Sequence, residues 1–104
     1  MKDNIYKELK YLIDTEKYFL MCRKHYFSFL KKNQFKHESS STIENVSVSI
    51  ILKDFIEYDY YEIATELLIV RDNDSPPIGY YRYIEDNEGN HVDDFWGGNF
   101  PLDD

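Results

Sequence analysis

Apolar residues recur at helical spacing through the first thirty positions of the chain. With one polar interruption at Glu16, the i, i+3, i+4, i+7 rhythm is carried by Ile5, Leu9, Leu12, Ile13, Phe19, Leu20, Arg23, Phe27 and Leu30. Asp3 or Asn4 can cap the start, and the basic residues near Lys32 suit the negative end of the helix dipole. The pattern predicts one long helix from about Ile5 to Leu30.

A serine-rich stretch at 38–41 is typical of a short linker, and the sequence Ser41-Thr42-Ile43-Glu44 after it has the form of a capping box. A stripe at helical spacing follows, formed by Val48, Ile51, Leu52, Phe55 and Ile56. The competing interpretation is a strand, because residues 46–50 alternate between apolar and polar side chains. Since the cap and the longer register agree, we favour a second helix that ends near Glu57.

A second capping box, Asp59-Tyr60-Tyr61-Glu62, follows within three residues of Ile56. The apolar positions after it, Tyr60, Ile63, Ala64, Leu67 and Leu68, again have helical spacing. These features predict a third helix that ends near Val70 and forms an αα-hairpin with the second. Residues 71–77 form a loop, because Pro76 and Pro77 cannot continue a helix.

The character of the chain changes after Pro77. Residues 78–84 are rich in strand formers, residues 85–90 are typical of a turn, and residues 91–96 provide a return strand. A β-hairpin alone is unstable in water, so it must pack on the helices, helped by Phe100 and Leu102 of the tail. The sequence therefore predicts one α+β domain over residues 1–104. It has three helices, a long one plus an αα-hairpin, and a C-terminal β-hairpin packed on them.

The amino-acid composition indicates a binding surface in addition to these elements. Aromatic residues make up 17% of the chain, and ten of them are Tyr, which is more than a small core needs and suits a binding surface. Cys22 is the only cysteine, so an intrachain disulfide is excluded. The N-terminus has no apolar signal-peptide run, and the longest aliphatic run, 67–70, is too short to span a bilayer. We expect a cytoplasmic protein that does not bind membranes.

Charge is distributed unevenly. Residues 1–37 contain nine Lys or Arg and four Asp or Glu, a balance of +5, whereas residues 38–104 contain three and sixteen, a balance of −13; the sum is −8. Such a surface repels nucleic acid and attracts basic proteins. A basic first helix could touch phosphates, but the larger acidic remainder argues against direct nucleic-acid binding. The alternative is that acidity only maintains solubility.

Motifs for catalysis or for metal binding do not emerge. Residues 72–74 and 86–88 resemble calcium loops, but Pro77 and His91 occupy the positions that need glycine. One cysteine excludes a cysteine-ligated zinc site, and neither a Walker loop nor a G-x-S-x-G motif is present. We therefore expect neither a metal nor another cofactor.

A reactive thiol at Cys22 beside Arg23 is disfavoured, because adjacent residues of a helix point in different directions. An enzyme would need a site built from residues remote in sequence, such as His25 with His91. A pocket that holds both would favour that alternative. In its absence we expect that the protein is not an enzyme and has no catalytic residues.

What remains is a surface for a protein partner. Aromatic anchors surrounded by acids resemble the composition of interface hot spots. The residues that we predict to contact the partner are Tyr81, Tyr83, Glu85, Asp86, Asp93, Asp94, Trp96, Asp59 and Glu62. The alternative is that the aromatic rings form the contact between the hairpin and the helices.

Two segments resemble a known class of proteins. Residues 52–67 are similar to the helix–turn–helix stretch of small bacterial immunity proteins, in which the sequence motif F-I-x-x-x-E-Y-x-x-A-x-E-x-L recurs. The residues of this chain that match the motif approximately are Phe55, Ile56, Tyr61, Ala64, Glu66 and Leu68. Residues 76–83 and 92–95 resemble the end of short proteins from polymorphic-toxin and contact-dependent growth inhibition loci.

This resemblance implies an immunity protein that binds and neutralises a cognate toxin, and does so as a monomer. Many such toxins are nucleases with basic active sites, which an acidic partner can occupy by mimicking phosphate charge. We expect the acids and aromatic rings of the hairpin to cover such a site, although the acids near Asp59 and Glu62 could supply the contacts instead. Two alternatives stay open: a phage-encoded inhibitor that mimics nucleic acid, and a non-catalytic structural or oligomeric subunit.

Overall fold

The computed structural model of the protein describes residues 14–37, 40–52, 60–71 and 76–102. These residues form one helix and four strands: α1 (Thr15–Lys32), β1 (Thr42–Ile51), β2 (Glu62–Val70), β3 (Gly79–Asp86) and β4 (His91–Gly98). The strands make one antiparallel sheet in the order β1-β2-β3-β4. Each strand therefore pairs with its neighbour in the chain, and α1 packs on one face of the sheet.

The prediction of a second helix is wrong, because residues 42–51 form β1. Six of these ten residues are β-branched (Thr42, Ile43, Val46, Val48, Ile50 and Ile51), and such side chains favour a pleated strand over a helix. Ser41 does not begin a helix, so the capping-box pattern was misleading. The alternation over 46–50, which was the competing interpretation, is the informative signal; residues 53–59 lie outside the described part.

The prediction of a third helix is also wrong, because residues 62–70 form the central strand β2. Ile63, Leu67 and Ile69 are almost fully buried on the side that faces α1, while Ala64 is buried on the opposite side. The run Leu67-Leu68-Ile69-Val70 has no alternation of apolar and polar residues, and such a short apolar run cannot be told from a helix by its spacing. Positions spaced by three and four then occur by chance, which explains the error. The helix–turn–helix expected from the resemblance is therefore not present over 62–70.

α1 and the last two strands lie within the segments where the sequence predicted such elements. The prediction of one continuous helix from Ile5 to Leu30 is wrong, because the backbone of Asp14 is extended (φ −81°, ψ 93°) and α1 begins at Thr15. Asp14 caps α1, since its Oδ1 accepts a hydrogen bond from the backbone N–H of Lys17 at 3.2 Å. The predicted part of the helix before residue 14, with its cap at Asp3 or Asn4, lies outside the described residues. β3 and β4 are two strands of a larger sheet rather than a hairpin on a helical body. Within the described residues, a helix with the apolar length that a membrane span requires is not found.

The core between α1 and the sheet is built around the ring of Phe29. Five aromatic rings have their centroids within 5.1–6.3 Å of it, those of Tyr26, Phe35, Tyr81, Trp96 and Phe100. These separations, with tilted, stacked and T-shaped geometries, are favourable for aromatic pairs. The tail returns to this cluster through a bridge between Phe35 and Leu102. Phe100 is buried as expected, whereas the side chain of Leu102 is exposed.

Arg23 joins α1 to the edge strand β1. Its guanidinium donates to the side-chain Oδ1 of Asn45 from Nη2 at 2.9 Å and from Nε at 3.3 Å. Nη2 also donates to the backbone carbonyl of Ile43 at 3.2 Å. The pairing of β1 with β2 shifts by one residue between Asn45 and Ser47, which leaves Val46 as a bulge. The helical pattern in the sequence included Arg23 among the apolar positions of the helix. Its guanidinium group instead makes these hydrogen bonds to β1.

We predict that Phe29→Ala lowers the free energy of unfolding by about 3–5 kcal/mol, because it removes the ring on which the aromatic cluster packs. The matched control is Phe27→Ala on the same helix, where the ring is 48% exposed. We expect this control to lower the free energy of unfolding by about 1 kcal/mol or less. Urea unfolding followed by circular dichroism measures both values, and equal losses would contradict the central role of Phe29.

Candidate functional site

Large apolar side chains are exposed along β4, which is an edge strand of the sheet in the described part of the chain. The exposed fractions are 40% for Val92, 46% for Phe95 and 44% for Trp96, and the carboxylate of Asp93 is exposed beside them. We call these four residues the β4 surface. Exposed rings and an unpaired strand edge together are features of protein-binding sites.

The β4 surface extends over both faces of the sheet edge. Trp96 lies on the side of α1, where its ring packs at 5.4 Å from both Phe29 and Phe35. Phe95 points to the opposite side and stands across from Arg82 of β3. The core therefore holds one edge of the Trp96 ring in place, while the rest of the ring remains accessible. A ring that is already ordered loses little conformational entropy on binding.

A bulge in β4 determines which residues share a face. Ile84 pairs with Asp93 but Glu85 pairs with His91, so Val92 is the extra residue. In a regular strand, residues three apart lie on opposite faces. Because of the bulge, His91 and Asp94 lie on the same side of the sheet, and their side chains meet: His91 Nε2 is 3.7 Å from Asp94 Oδ1.

The residues predicted to contact a partner divide by burial. Tyr81, Tyr83, Glu85 and Glu62 are buried, Asp86 and Asp94 are partly buried, and Asp93 and Trp96 are exposed. Asp59 lies outside the described residues. The two tyrosines belong to the core under α1, as the alternative interpretation of these rings had it. Of the predicted set, Asp93 and Trp96 are exposed on the strand, and the side chain of Asp94 retains 38% exposure.

The acids at the β3–β4 turn have different roles. The Oδ1 of Asp86 accepts hydrogen bonds at 2.9 Å from the backbone N–H groups of Glu88 and Asn90. These bonds lower the pKa of Asp86, so its charge is retained while it stabilises the turn. Burial raises the pKa of Glu85, whose side chain lies under the N-terminal half of α1 close to Lys17. Asp93 is the acid of the hairpin that is both exposed and adjacent to the aromatic rings.

A cleft adjoins the β4 surface, between α1 and the last two strands. Its volume is about 310 Å³, and it is lined by His25, Ser28, Phe29, Lys32, Tyr81, Tyr83, His91 and Asp94. We call it the His25–His91 cleft. The sequence offered no signal that these residues meet, since they come from three elements and none belongs to a motif.

Aromatic rings and one carboxylate form the floor of the cleft. The imidazole of His25 is stacked on the ring of Tyr83 at 3.8 Å and 8°, and His91 lies at 5.2 Å from the same ring. The hydroxyl of Tyr81 donates to Asp94 Oδ2 at 3.1 Å. Burial and the charge of Asp94 raise the pKa of Tyr81, so this hydroxyl stays protonated and remains a donor.

The protonation of His25 depends on its position in the cleft. Burial lowers its pKa, and the proximity of His91 lowers it further, against the opposing effect of Asp94. The imidazole is therefore neutral at pH 7. In this form it stacks on Tyr83 without placing a positive charge next to His91.

The cleft contains residue types that occur in hydrolytic active sites, whereas the buried thiol of Cys22 is not reactive. A hydroxyl, two imidazoles and a carboxylate are the groups of nucleophilic hydrolysis, although no hydrogen bond joins Ser28 to His25 or His91 in the described part. Cys22 is 1% exposed and its Sγ is 3.6 Å from the carbonyl oxygen of Thr65. Burial raises its pKa to about 12, so it is not a thiolate at neutral pH. Among the described residues, no three His, Cys, Asp or Glu side chains are grouped to hold a metal ion.

Comparison with known proteins adds no relative to this description. No protein-family model, no curated protein and no solved structure matches the chain. The geometry of the β4 surface and of the His25–His91 cleft is therefore the basis for a functional proposal.

We predict that acid destabilises the fold through His25. Because its pKa is lower in the folded state, the unfolded chain binds more protons as the pH falls through about 6.5, and stability is lost in that window. His25→Phe keeps a ring on Tyr83 and removes the titrating group. The urea midpoint of the wild type should therefore fall more than that of His25→Phe between about pH 7.5 and 5.5. Equal falls in the two proteins would contradict this assignment.

Proposed function

We propose that the protein is an immunity protein, which binds and neutralises a cognate bacterial toxin through the β4 surface. The observation that carries this proposal is an acidic edge strand with a large exposed aromatic ring on each face. Binding by this surface needs no cofactor and no catalytic residue. The resemblance of residues 76–83 and 92–95 to proteins of toxin loci supports the same assignment.

The rings supply the binding energy in this proposal. Trp is enriched among the few residues that dominate protein interfaces, and such residues are commonly held by packing before the partner arrives. Trp96 meets both conditions, because its inner edge rests on Phe29 and Phe35 while 44% of it is exposed. Phe95 and Val92 extend the apolar area around the strand edge.

Charge supplies the selectivity. The net charge of the chain is −8, and residues 38–104 alone carry −13. Asp93 lies next to Phe95 on the β4 surface, and Asp86 keeps its charge in the adjoining turn. A toxin with a basic active site, such as a nuclease, would be attracted to this surface and would present cations to its carboxylates.

The test is co-expression with the product of the neighbouring upstream gene, followed by purification of the complex and a growth-protection assay. We expect a one-to-one complex whose affinity falls as salt is added. Asp93→Lys and Phe95→Ala should each weaken the complex by at least about 30-fold, as truncation of a hot-spot residue does. Both side chains are exposed, so the fold should be unchanged by circular dichroism.

The opposite edge of the sheet offers matched controls. Glu44 and Val46 are exposed on β1, with Val46 49% exposed, and they repeat the pairing of an acid with an apolar residue. Glu44→Lys and Val46→Ala should leave the affinity within about threefold of the wild type. Absence of any complex would refute the proposed function. A concentration-dependent mass of the protein alone would favour the oligomeric-subunit alternative.

A second candidate function is hydrolysis of an ester in the His25–His91 cleft, and the observation in its favour is that the cleft holds both histidines. Ser28 would attack the carbonyl carbon while an imidazole takes the hydroxyl proton, and the ester C–O bond would then break as that proton passes to the leaving alcohol. Water would next attack the acyl-serine, which releases the carboxylic acid and restores the Ser28 hydroxyl. Hydrolysis of p-nitrophenyl acetate tests this. Ser28→Ala and His91→Asn should then each lower the rate at least about 100-fold. A rate no higher than that of buffer would eliminate this candidate.

A further inference from the structure

The carboxylate of Asp94 differs from the other acids of the hairpin in its surroundings. One oxygen, Oδ2, is held by the hydroxyl of Tyr81 at 3.1 Å. The other, Oδ1, is 3.7 Å from His91 Nε2, which is longer than a hydrogen bond. An ionised carboxylate offers about four acceptor positions, and Tyr81 occupies one of them. Asp94 is therefore fixed in position and keeps acceptor capacity toward the cleft.

The walls around Asp94 are flat and aromatic. Tyr83 is buried beneath two imidazoles, that of His25 stacked on it at 3.8 Å and that of His91 at 5.2 Å, so the imidazoles are the planar groups that the cleft presents beside Asp94. A planar cation can stack on such rings while its N–H groups bond to a carboxylate. The side chain that combines both properties is arginine, whose guanidinium is planar, always charged and weakly hydrated.

Size and charge agree with this occupant. A volume of about 310 Å³ admits one extended side chain and excludes a folded peptide. At neutral pH the imidazole of His25 is uncharged, and Lys32 is the one lining residue with a permanent positive charge. Lys32 is exposed in the last turn of α1, so its ammonium group can remain in solvent at the entrance.

We propose that the His25–His91 cleft is a binding site for an arginine side chain of the protein partner, with Asp94 as the carboxylate that receives the guanidinium. This rests on the proposed function and makes it specific. The partner would cover the β4 surface with its main contact area and insert one arginine beside Trp96. Asp94 would then act separately from Asp93, although the two are adjacent in sequence, because they lie on opposite faces of β4.

The site can be tested without the partner, using N-acetyl-arginine amide as the probe and the backbone amide NMR signals of the full chain as the readout. We expect saturable shifts at the cleft residues with a dissociation constant of roughly millimolar order. N-acetyl-citrulline amide has nearly the same shape without the charge, and it should bind at least about tenfold more weakly. N-acetyl-lysine amide should also bind more weakly, because its ammonium is neither planar nor able to stack.

Variants then locate the site. Asp94→Asn removes the charge but keeps an oxygen that can accept from the hydroxyl of Tyr81, and it should weaken the probe at least about tenfold. Asp93→Asn makes the same change on the other face of the strand and should leave the affinity unchanged. Lys32→Gln removes the like charge at the entrance and should tighten binding severalfold.

The outcomes separate this proposal from the one before it. Equal binding of arginine and citrulline probes, or equal binding by Asp94→Asn and the wild type, would overturn the arginine site. If the toxin complex forms and depends on Phe95 while the probe does not bind, the arginine site alone is wrong. If the probe binds as described and no toxin complex forms, the cleft is an arginine site and the immunity function is wrong.

Discussion

The whole described part of the molecule depends on one packing problem, which is the covering of a four-stranded sheet by a single helix. An 18-residue helix is narrower than four strands. Aromatic side chains bridge the difference, because each buries a large area and reaches several ångströms from its backbone. The ring of Phe29 lies at the centre of this arrangement and contacts rings from α1, from β3, from β4 and from the tail.

The same constraint explains where the candidate site lies. Among the elements that the structure describes, α1 packs against β1, β2 and β3, so the outer strand β4 is only partly covered by this helix. Rings that reach toward Phe29 from β4 are consequently buried on one edge and accessible on the other, as Trp96 is. The gap between α1 and β4 is the His25–His91 cleft. The surface and the cleft are therefore two results of one incomplete coverage.

Local signals in the sequence located α1 and the two last strands, because periodicity, strand formers and a glycine-containing turn agree there, but they did not identify Asp14 as the cap at which α1 begins. They failed for β1 and β2. In β1 the β-branched residues were outweighed by an apparent cap at Ser41, and in β2 burial on both faces removed the alternation that identifies a strand. The acidic and aromatic character of the hairpin was evident from the sequence. The burial of Tyr81 and Tyr83 depends on the helix that covers them, and the meeting of His25 with His91 depends on the sheet order, so neither could be read from local patterns.

The bulge at Val92 determines which face of the sheet His91 occupies, and it depends on the number of residues in the hairpin. His91 and Asp94 share the cleft only because one extra residue intervenes in the pairing of β4 with β3. Removal of a single residue from the turn at 87–90 would keep all four residues of the β4 surface. It would, however, change which face of the sheet the residues beside the bulge occupy. Homologous chains that bind the same partner should therefore keep the number of residues between Asp86 and Asp93 constant.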